Sequence, residues 1–196
     1  MGSFTLANIE KMIIAHPDDE SIFGGSLLIE EQNWKVICVT NKGYEREEEF
    51  EQAMKFLKIK DYAIWDFRDD FYEPWSVEET KEISNRLEAE IRSDKYGKVV
   101  THGEEGEYGH IQHKALHQIV KNLVTDNLFV FGKGEKQLEE ETLRHKIKLL
   151  QIYKTQLPFL DNLLWYIKGD RELEFDSPWG LHYWITNEET IKFYRT

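Results

Sequence analysis

Short apolar runs alternate with longer amphipathic segments over the first two-thirds of the chain. The runs are continuously apolar and rich in β-branched residues, which is typical of strands buried on both faces. They cover residues 12–15, 35–40, 62–67, 98–101 and 128–131. This alternation predicts βαβ units that build a parallel sheet with helices packed on it.

The segments between these runs repeat their apolar residues at helical spacing. Phe50, Ala53, Met54 and Leu57, for example, follow the i, i+3, i+4, i+7 pattern of an amphipathic helix. The predicted helical segments are residues 47–57, 77–91, 115–123 and 139–153. Proline and glycine then break the chain into loops, and a weak alternation near its end predicts an edge strand over residues 181–186.

These patterns predict one α/β domain over residues 1–196, a Rossmann-like three-layer sandwich with a mainly parallel sheet. The composition of 40% hydrophobic residues fits a folded protein with a core. The dinucleotide-binding pattern Gly-x-Gly-x-x-Gly does not follow the first predicted strand. We therefore expect that this Rossmann-like fold does not bind a dinucleotide.

The charge and the absence of sorting signals narrow the function classes. A net charge of −12 argues against binding nucleic acid or an anionic lipid surface. We find no continuous apolar stretch long enough for a transmembrane helix and no signal-peptide pattern, so we expect a cytoplasmic protein. The sequence leaves open whether the chain forms a homo-oligomer.

A histidine and three acidic residues directly follow the first predicted strand, in the segment His16-Pro17-Asp18-Asp19-Glu20. His16 and Asp19 offer the imidazole nitrogen and carboxylate oxygen that Zn²⁺ prefers, and Pro17 restricts the turn that holds them. A free carboxylate beside a metal, such as Asp18, is suited to general-base catalysis. Taken alone, His-Pro-Asp is more typical of a surface turn, but here it joins a buried strand to an apolar helix.

A second group of histidines follows the fourth predicted strand. His110 and His113 would share one face of a helix that begins near Gly109, and a metal could be bound jointly with the first segment. An isolated pair of this kind is also common at a solvated helix end. His117 is more typical of a surface or packing residue than of a metal ligand. His102 is intermediate between these two interpretations.

Polar residues near the ends of the second and third predicted strands are candidates for contacts to a substrate. Arg46 could bind a phosphate or sugar hydroxyls, or it could pair with a neighbouring glutamate. Asp69 and Asp70 could accept hydrogen bonds from sugar hydroxyls, or they could cap the next helix.

These motifs resemble, in the same order, those of the zinc-dependent N-acetylglucosaminyl deacetylases of the PIG-L/LmbE-like superfamily. The similarity spans about residues 10–157. The segment at residues 15–20 is identical to the family signature Ala-His-Pro-Asp-Asp-Glu. The other similar segments are residues 39–43 with the helix of residues 46–59, residues 67–69, residues 101–113 and residues 146–156.

The resemblance implies a role for each matching residue. It implies that His16, Asp19 and His113 bind Zn²⁺, with Fe²⁺ or another divalent ion as the alternative. It implies that Asp18 is the general base and that His110 is the acid or the group that stabilises the oxyanion. It also implies that Arg46, Asp69 and Tyr108 contact the sugar.

One position departs from the family pattern. Many members have His-Pro-Asp-His where this chain has His110-Ile111-Gln112-His113. An aspartate there would orient a histidine and raise its basicity, whereas Gln112 carries no charge.

The resemblance implies hydrolysis of the N-acetyl group of a small amino-sugar substrate, giving a free amine and acetate. Two alternatives stay open at this point. The chain could hydrolyse an amide that is not part of a sugar, or it could be a non-catalytic module that binds a metal or a sugar.

Overall fold

Five parallel strands form the central sheet of the computed structural model. The structure describes residues 9–41, 43–93, 95–131, 138–158, 172–176 and 182–186. The strands are β1 (Ile9–Ile14), β2 (Trp34–Thr40), β3 (Asp61–Phe67), β4 (Tyr96–Thr101) and β5 (Leu128–Val130). Their order in the sheet is β3-β2-β1-β4-β5, and all four pairings are parallel. The predicted parallel α/β sheet is therefore confirmed.

Helices connect the strands and cover the sheet. They are α1 (Asp19–Phe23), α2 (Gly25–Glu30), α3 (Tyr44–Leu57), α4 (Val77–Ser93), α5 (Gly106–Gly109), α6 (Ile111–Leu123) and α7 (Glu140–Leu150). The predicted amphipathic helices correspond to α3, α4, α6 and α7, with ends that differ by a few residues. The short helix α5 lies in a segment that we expected to be a loop, and Glu107 and Tyr108 within it have non-helical backbone angles.

Successive residues of β1 supply the two halves of the core, because side chains alternate between the faces of a strand. Met12 and Ile14 belong to a cluster with residues of α1, α2, α3 and α7 on one face. Ile13 and Ala15 belong to a second cluster with residues of α4 and α6 on the other face. This arrangement gives the three layers that the sequence predicts.

The end of the chain contributes a separate two-stranded antiparallel sheet. It consists of β6 (Glu172–Asp176) and β7 (His182–Thr186). The expected strand over residues 181–186 agrees with β7 apart from residue 181, which lies outside the described residues. We did not predict β6, because its apolar residues Leu173 and Phe175 alternate with acidic ones and are too few to stand out.

The order of the strands determines where a site can form. The chain proceeds outward from β1 through β2 to β3 and then returns to β4, on the other side of β1. Ligands of open α/β sheets bind at such a switch point, beyond the carboxyl ends of the strands. The loops after β1 and β4 contain the two histidine segments. Among the described residues, no helix combines the length and apolar character needed to cross a membrane.

Candidate metal centre

The structure brings together the three residues that the resemblance assigns to a metal. His16 follows β1, Asp19 begins α1 and His113 lies in the first turn of α6. Nδ1 of His16 lies 3.0 Å from Nε2 of His113 and 3.2 Å from Oδ2 of Asp19. Oδ2 of Asp19 lies 3.3 Å from Nε2 of His113. All three residues are buried.

These three atoms fit a bound Zn²⁺-class ion. Ligand distances of about 2.0–2.2 Å in a tetrahedral site place neighbouring ligand atoms roughly 3.3–3.6 Å apart. The observed separations of 3.0, 3.2 and 3.3 Å are close to one face of such a tetrahedron. Two imidazoles and one carboxylate are also a typical ligand set for catalytic zinc. The chemistry and spacing of these residues therefore suit a divalent metal.

Glu107 holds His113 in the orientation that this site needs. Oε2 of Glu107 lies 2.6 Å from Nδ1 of His113, so the imidazole can donate its hydrogen there and direct the free lone pair of Nε2 towards His16 and Asp19. The same oxygen lies 2.9 Å from Nδ1 of His102. Burial opposes ionisation of Glu107, but the two imidazoles outweigh it and lower its pKa to about 2.

His102 supports the centre without competing as a ligand. Its ring stacks on that of His113 with centroids 3.7 Å apart. Nε2 of His102 lies 3.3 Å from Oδ2 of Asp19, and His102, Asp19 and His113 form a second group with suitable ligand atoms. However, Nε2 of His102 already lies 3.0 Å from the backbone nitrogen of Ala15. Burial opposes protonation of His102, but the carboxylates of Glu107 and Asp19 outweigh it and raise the pKa of His102 to about 9, which makes the ring a poor metal ligand. His117 is also buried, with Nδ1 2.9 Å from the carbonyl oxygen of His102, and it packs rather than lying on the surface.

The charges around Asp19 and Asp18 act in opposite directions. Burial favours a neutral Asp19, but the imidazoles of His113 and His102 outweigh it and hold the pKa of Asp19 well below its usual value. Burial raises the pKa of Asp18 well above its usual value, although the Arg46 guanidinium opposes this. Adjacent carboxyl groups with such different proton affinities suit the distinct roles of metal ligand and base.

Asp18 is held in an uncommon backbone conformation. Its φ of 122° lies in a region that residues with a side chain rarely adopt, at a cost of about 1–3 kcal/mol. Nη2 of Arg46 lies 3.4 Å from Oδ2 of Asp18 and also donates to the Pro17 carbonyl oxygen. Arg46, which we expected to contact a substrate, is buried and contacts the predicted catalytic loop.

His110 caps the amino terminus of α6 beside the candidate ligands. Its ring centroid lies 4.5 Å from that of His16 and 4.6 Å from that of His113. Nδ1 of His110 accepts a hydrogen bond from the backbone N–H of Gln112 at 3.2 Å. Burial and the neighbouring imidazoles of His16 and His113 lower the pKa of His110 to about 3, so the ring is neutral near pH 7.

The other two expected substrate residues also lie near the centre. Oδ1 of Asp69 is 3.8 Å from Nε2 of His16. The ring of Tyr108 lies edge-on to His110, with centroids 5.8 Å apart, and packs against Phe23. Burial is the main cause that raises the pKa of Tyr108, and nearby carboxylates, of which Asp19 contributes most, add to it, so the hydroxyl stays protonated.

Sequence reasoning missed two residues of this region. Glu107 was not among the expected site residues, whereas in the structure it contacts His113 and His102. Phe71 was not considered, although its ring is 56% exposed and lies edge-on to His110 with centroids 5.0 Å apart. One indication of its role was available in the sequence: Phe71 directly follows Asp69 and Asp70, which we expected to lie near a substrate.

Comparisons with known proteins agree with these motifs. The family model described as PIG-L, GlcNAc-PI de-N-acetylase, matches residues 11–124. An uncharacterized protein of Acanthamoeba polyphaga mimivirus, L374, is 34% identical over 180 residues, which are 83% of this chain and 78% of that protein. The N-acetylglucosaminyl-phosphatidylinositol de-N-acetylase of Saccharomyces cerevisiae is 26% identical over 133 residues, 59% of this chain and 43% of the yeast protein.

A solved structure agrees with the fold. The N,N'-diacetylchitobiose deacetylase of Pyrococcus horikoshii superposes with a TM-score of 0.63 and 15% sequence identity, covering 98% of this chain and 85% of that one. At this identity the likeness concerns the fold alone. The family assignment rests on the sequence matches, which include the loops that carry His16, Asp19 and His113. The chain therefore belongs to the PIG-L family of de-N-acetylases.

Proposed function

We propose that this protein is a metal-dependent N-deacetylase that hydrolyses the acetamide of an N-acetylglucosamine-type sugar. The products are the free amino sugar and acetate. The observation that carries the proposal is the triangle of ligand atoms from His16, Asp19 and His113, with separations of 3.0–3.3 Å, directly beside Asp18. We propose Zn²⁺ as the ion, with Fe²⁺ as the alternative. A bound ion would act as a Lewis acid, which polarises a carbonyl group and acidifies water.

Asp18 is the proposed general base. Its raised pKa makes the ionised carboxylate a better proton acceptor than an ordinary aspartate. It would take a proton from the water that attacks the acetamide carbon. Arg46 would favour the ionised form of the carboxylate and orient it, because its guanidinium lies 3.4 Å from Oδ2 of Asp18. We therefore propose that Arg46 serves the base, in addition to the sugar contact that the family resemblance implies.

His110 is the proposed hydrogen-bond donor to the oxyanion. Its Nδ1 accepts from the backbone N–H of Gln112, so the neutral ring carries its hydrogen on Nε2. Such a fixed donor stabilises negative charge that develops on the carbonyl oxygen. Because the neutral ring has no spare proton, we propose that Asp18 returns its acquired proton to the leaving amine.

The sugar is proposed to lie against the loop after β3. Asp69 would accept hydrogen bonds from hydroxyl groups, and the protonated Tyr108 would donate one. The exposed ring of Phe71 beside His110 offers an apolar surface to the C–H groups of a pyranose. The name of the yeast relative specifies an N-acetylglucosaminyl group, and that of the archaeal protein of similar fold specifies diacetylchitobiose, so both names favour an N-acetylated sugar as the substrate class.

Acetate release from a panel of N-acetylated compounds tests this proposal. The panel should contain free, glycosidic, nucleotide-linked and lipid-linked N-acetylglucosamine, together with N-acetylated amino acids. We expect the Zn²⁺-loaded protein to release acetate from at least one sugar and the Asp18→Asn variant to release very little. Release only from the amino acids would favour a non-sugar amide hydrolase. Sugar binding without turnover by the loaded protein would favour a non-catalytic module.

A further inference from the structure

The side chain of Gln112 connects a candidate metal ligand to the loop between β3 and α4. Gln112 is fully buried. Its Oε1 lies 2.8 Å from Nε2 of His16 and accepts from the backbone N–H of Asp70 at 3.2 Å. Its Nε2 donates to the carbonyl oxygen of Arg68 at 2.8 Å. The side-chain amide therefore has partners on both sides.

The two backbone partners fix the orientation of this amide. The N–H of Asp70 can only donate, and the carbonyl of Arg68 can only accept. The oxygen of Gln112 must therefore face Asp70, and the same oxygen faces His16. Nε2 of His16 must then carry the hydrogen, which leaves the lone pair of Nδ1 directed at Asp19 and His113.

We propose that Gln112 is a positioning residue with two effects. It sets the tautomer of His16 for metal binding, and it holds the β3–α4 loop against the metal centre. We call the hydrogen bonds between Gln112 and the backbone of Arg68 and Asp70 the tether. The loop carries Asp69 and Phe71, so the tether determines the position of the residues proposed to contact the substrate. The effect on turnover rests on the proposed deacetylase function, whereas the effects on metal binding and on the loop do not.

A carboxylate at position 112 could provide only two of these three contacts. It would accept from His16 and from Asp70, but its second oxygen would face the Arg68 carbonyl where Gln112 now donates at 2.8 Å. Two acceptors at that distance repel each other, although the Arg68 carbonyl would still accept from Nε1 of Trp75 at 2.9 Å. Many members of the family have aspartate at this position. The amide of Gln112 therefore suits this chain, in which the loop directs the carbonyl oxygen of Arg68 towards the side chain of residue 112.

Two variants separate the two effects. Gln112→Glu has the same shape and keeps an acceptor for His16, but it loses the donor to Arg68. Gln112→Met is similar in size and loses every hydrogen bond. Gln118→Glu, an exposed position on the same helix, is the matched control for the added charge. Circular dichroism and thermal unfolding would verify that each variant is folded.

The first measurement is hydrogen exchange of the loop in the metal-free proteins. The amides of Asp70, Tyr72 and Glu73 are protected by contacts to Gln112 Oε1 or to Oδ1 of Asp70. We expect both position-112 variants to exchange faster than wild type at residues 69–73, with unchanged exchange in β1 and β4. Wild-type exchange in Gln112→Glu would overturn the tether.

The second measurement is Zn²⁺ affinity by competition with a chelator. We expect Gln112→Met to bind Zn²⁺ about 10–100-fold more weakly, as is usual when an outer partner of a ligating histidine is lost. Gln112→Glu should bind at least as tightly as wild type, because its carboxylate still accepts from His16. Unchanged affinity in Gln112→Met would overturn the orienting role.

Kinetics add a third comparison on whichever substrate the acetate assay identifies. Gln112→Glu should raise KM more than it lowers kcat, since the loop is displaced while the metal and Asp18 stay in place. An equal fall in kcat at unchanged KM would contradict the tether. If wild type releases no acetate from any compound, the proposed function fails, but exchange and Zn²⁺ affinity still decide this inference.

Discussion

Oε2 of Glu107 lies 2.6 Å from Nδ1 of His113, on the side of the imidazole away from the other candidate ligands. This contact leaves Nε2 of His113 without a hydrogen, as metal binding requires. Glu107 itself has a φ of 55°, and its second oxygen accepts from the backbone N–H of Gly103 at 2.7 Å. The local backbone is therefore arranged around this carboxylate.

Replacing Glu107 should weaken metal binding without removing a ligand. We expect Glu107→Gln to bind Zn²⁺ about 10–100-fold more weakly, because a neutral amide makes His113 less basic and no longer fixes its tautomer. Competition with a chelator measures the affinity. Glu105→Gln, at an exposed position of the same segment, should bind as wild type. Equal affinity of the Glu107→Gln and wild-type proteins would contradict this role.

The ligand assignment itself predicts a loss of metal. His16→Ala and His113→Ala should each retain far less than one Zn²⁺ per chain after dialysis, since two protein ligands seldom hold zinc. Elemental analysis of the purified proteins provides the measurement. His145→Ala, at a half-buried histidine of α7 outside the site, serves as the control and should keep the metal. Full metal content in both ligand variants would show that the site lies elsewhere.

Asp18 should matter for turnover but not for metal content. Asp18→Asn keeps the size of the side chain but removes its ability to take a proton. We expect kcat to fall by about 10²–10⁴-fold, the usual contribution of a general base, while Zn²⁺ stoichiometry stays the same. Steady-state acetate release and elemental analysis give the two readouts.

An exposed aspartate provides the comparison for Asp18. Asp66→Asn, in β3, should leave both acetate release and Zn²⁺ stoichiometry unchanged. If Asp18→Asn retains wild-type turnover, another group is the base, and the proposed division of roles between Asp18 and Asp19 is wrong.

Phe71 should act on substrate affinity. We expect Phe71→Ala to raise KM for a sugar substrate several-fold, because the substrate loses an apolar surface. Zn²⁺ affinity should stay unchanged, because the described ring contacts of Phe71 are with His110 and Tyr72 rather than with the three proposed ligands. Phe71→Trp should retain most of the affinity, since it preserves an aromatic face. Phe56→Ala, at a partly exposed ring near the opposite end of the sheet, is the control. An unchanged KM in Phe71→Ala would exclude the stacking role.

The sequence was sufficient to predict the parallel sheet and the close approach of His16, Asp19 and His113; their binding of a metal stays a prediction. The strands are short, continuous apolar runs, and His16 and Asp19 follow the first of them within a distinctive motif. In a parallel sheet, residues at the ends of neighbouring strands meet at one edge, which brings His113 to the same place. The sheet follows from periodicity and the meeting of the two histidine segments from topology, whereas the choice of His113 rather than His110 as a ligand came from the family resemblance.

The contacts around the ligands could not be predicted in the same way. Glu107 is one of several glutamates in its segment, and only its positive φ directs it to His113 rather than to solvent. We noted Gln112 for its lack of charge next to the histidines of its own segment. Its side chain instead extends from α6 to the loop after β1, where Oε1 contacts Nε2 of His16. Such choices depend on side-chain geometry that residue spacing does not determine.

The pairing of β1 with β4 has a consequence for how the protein is made. It joins Ile9 to Tyr96 and Met12 to Val100, the largest separations along the chain of any pairing in the five-stranded sheet. Contacts between such distant segments generally form slowly. The loop after β1 therefore leaves the ribosome long before its partners on α6 exist. On the proposed ligand assignment, metal can be captured only after β1 and β4 have paired, so a chelator should interfere with the last stage of refolding rather than with the collapse that precedes it.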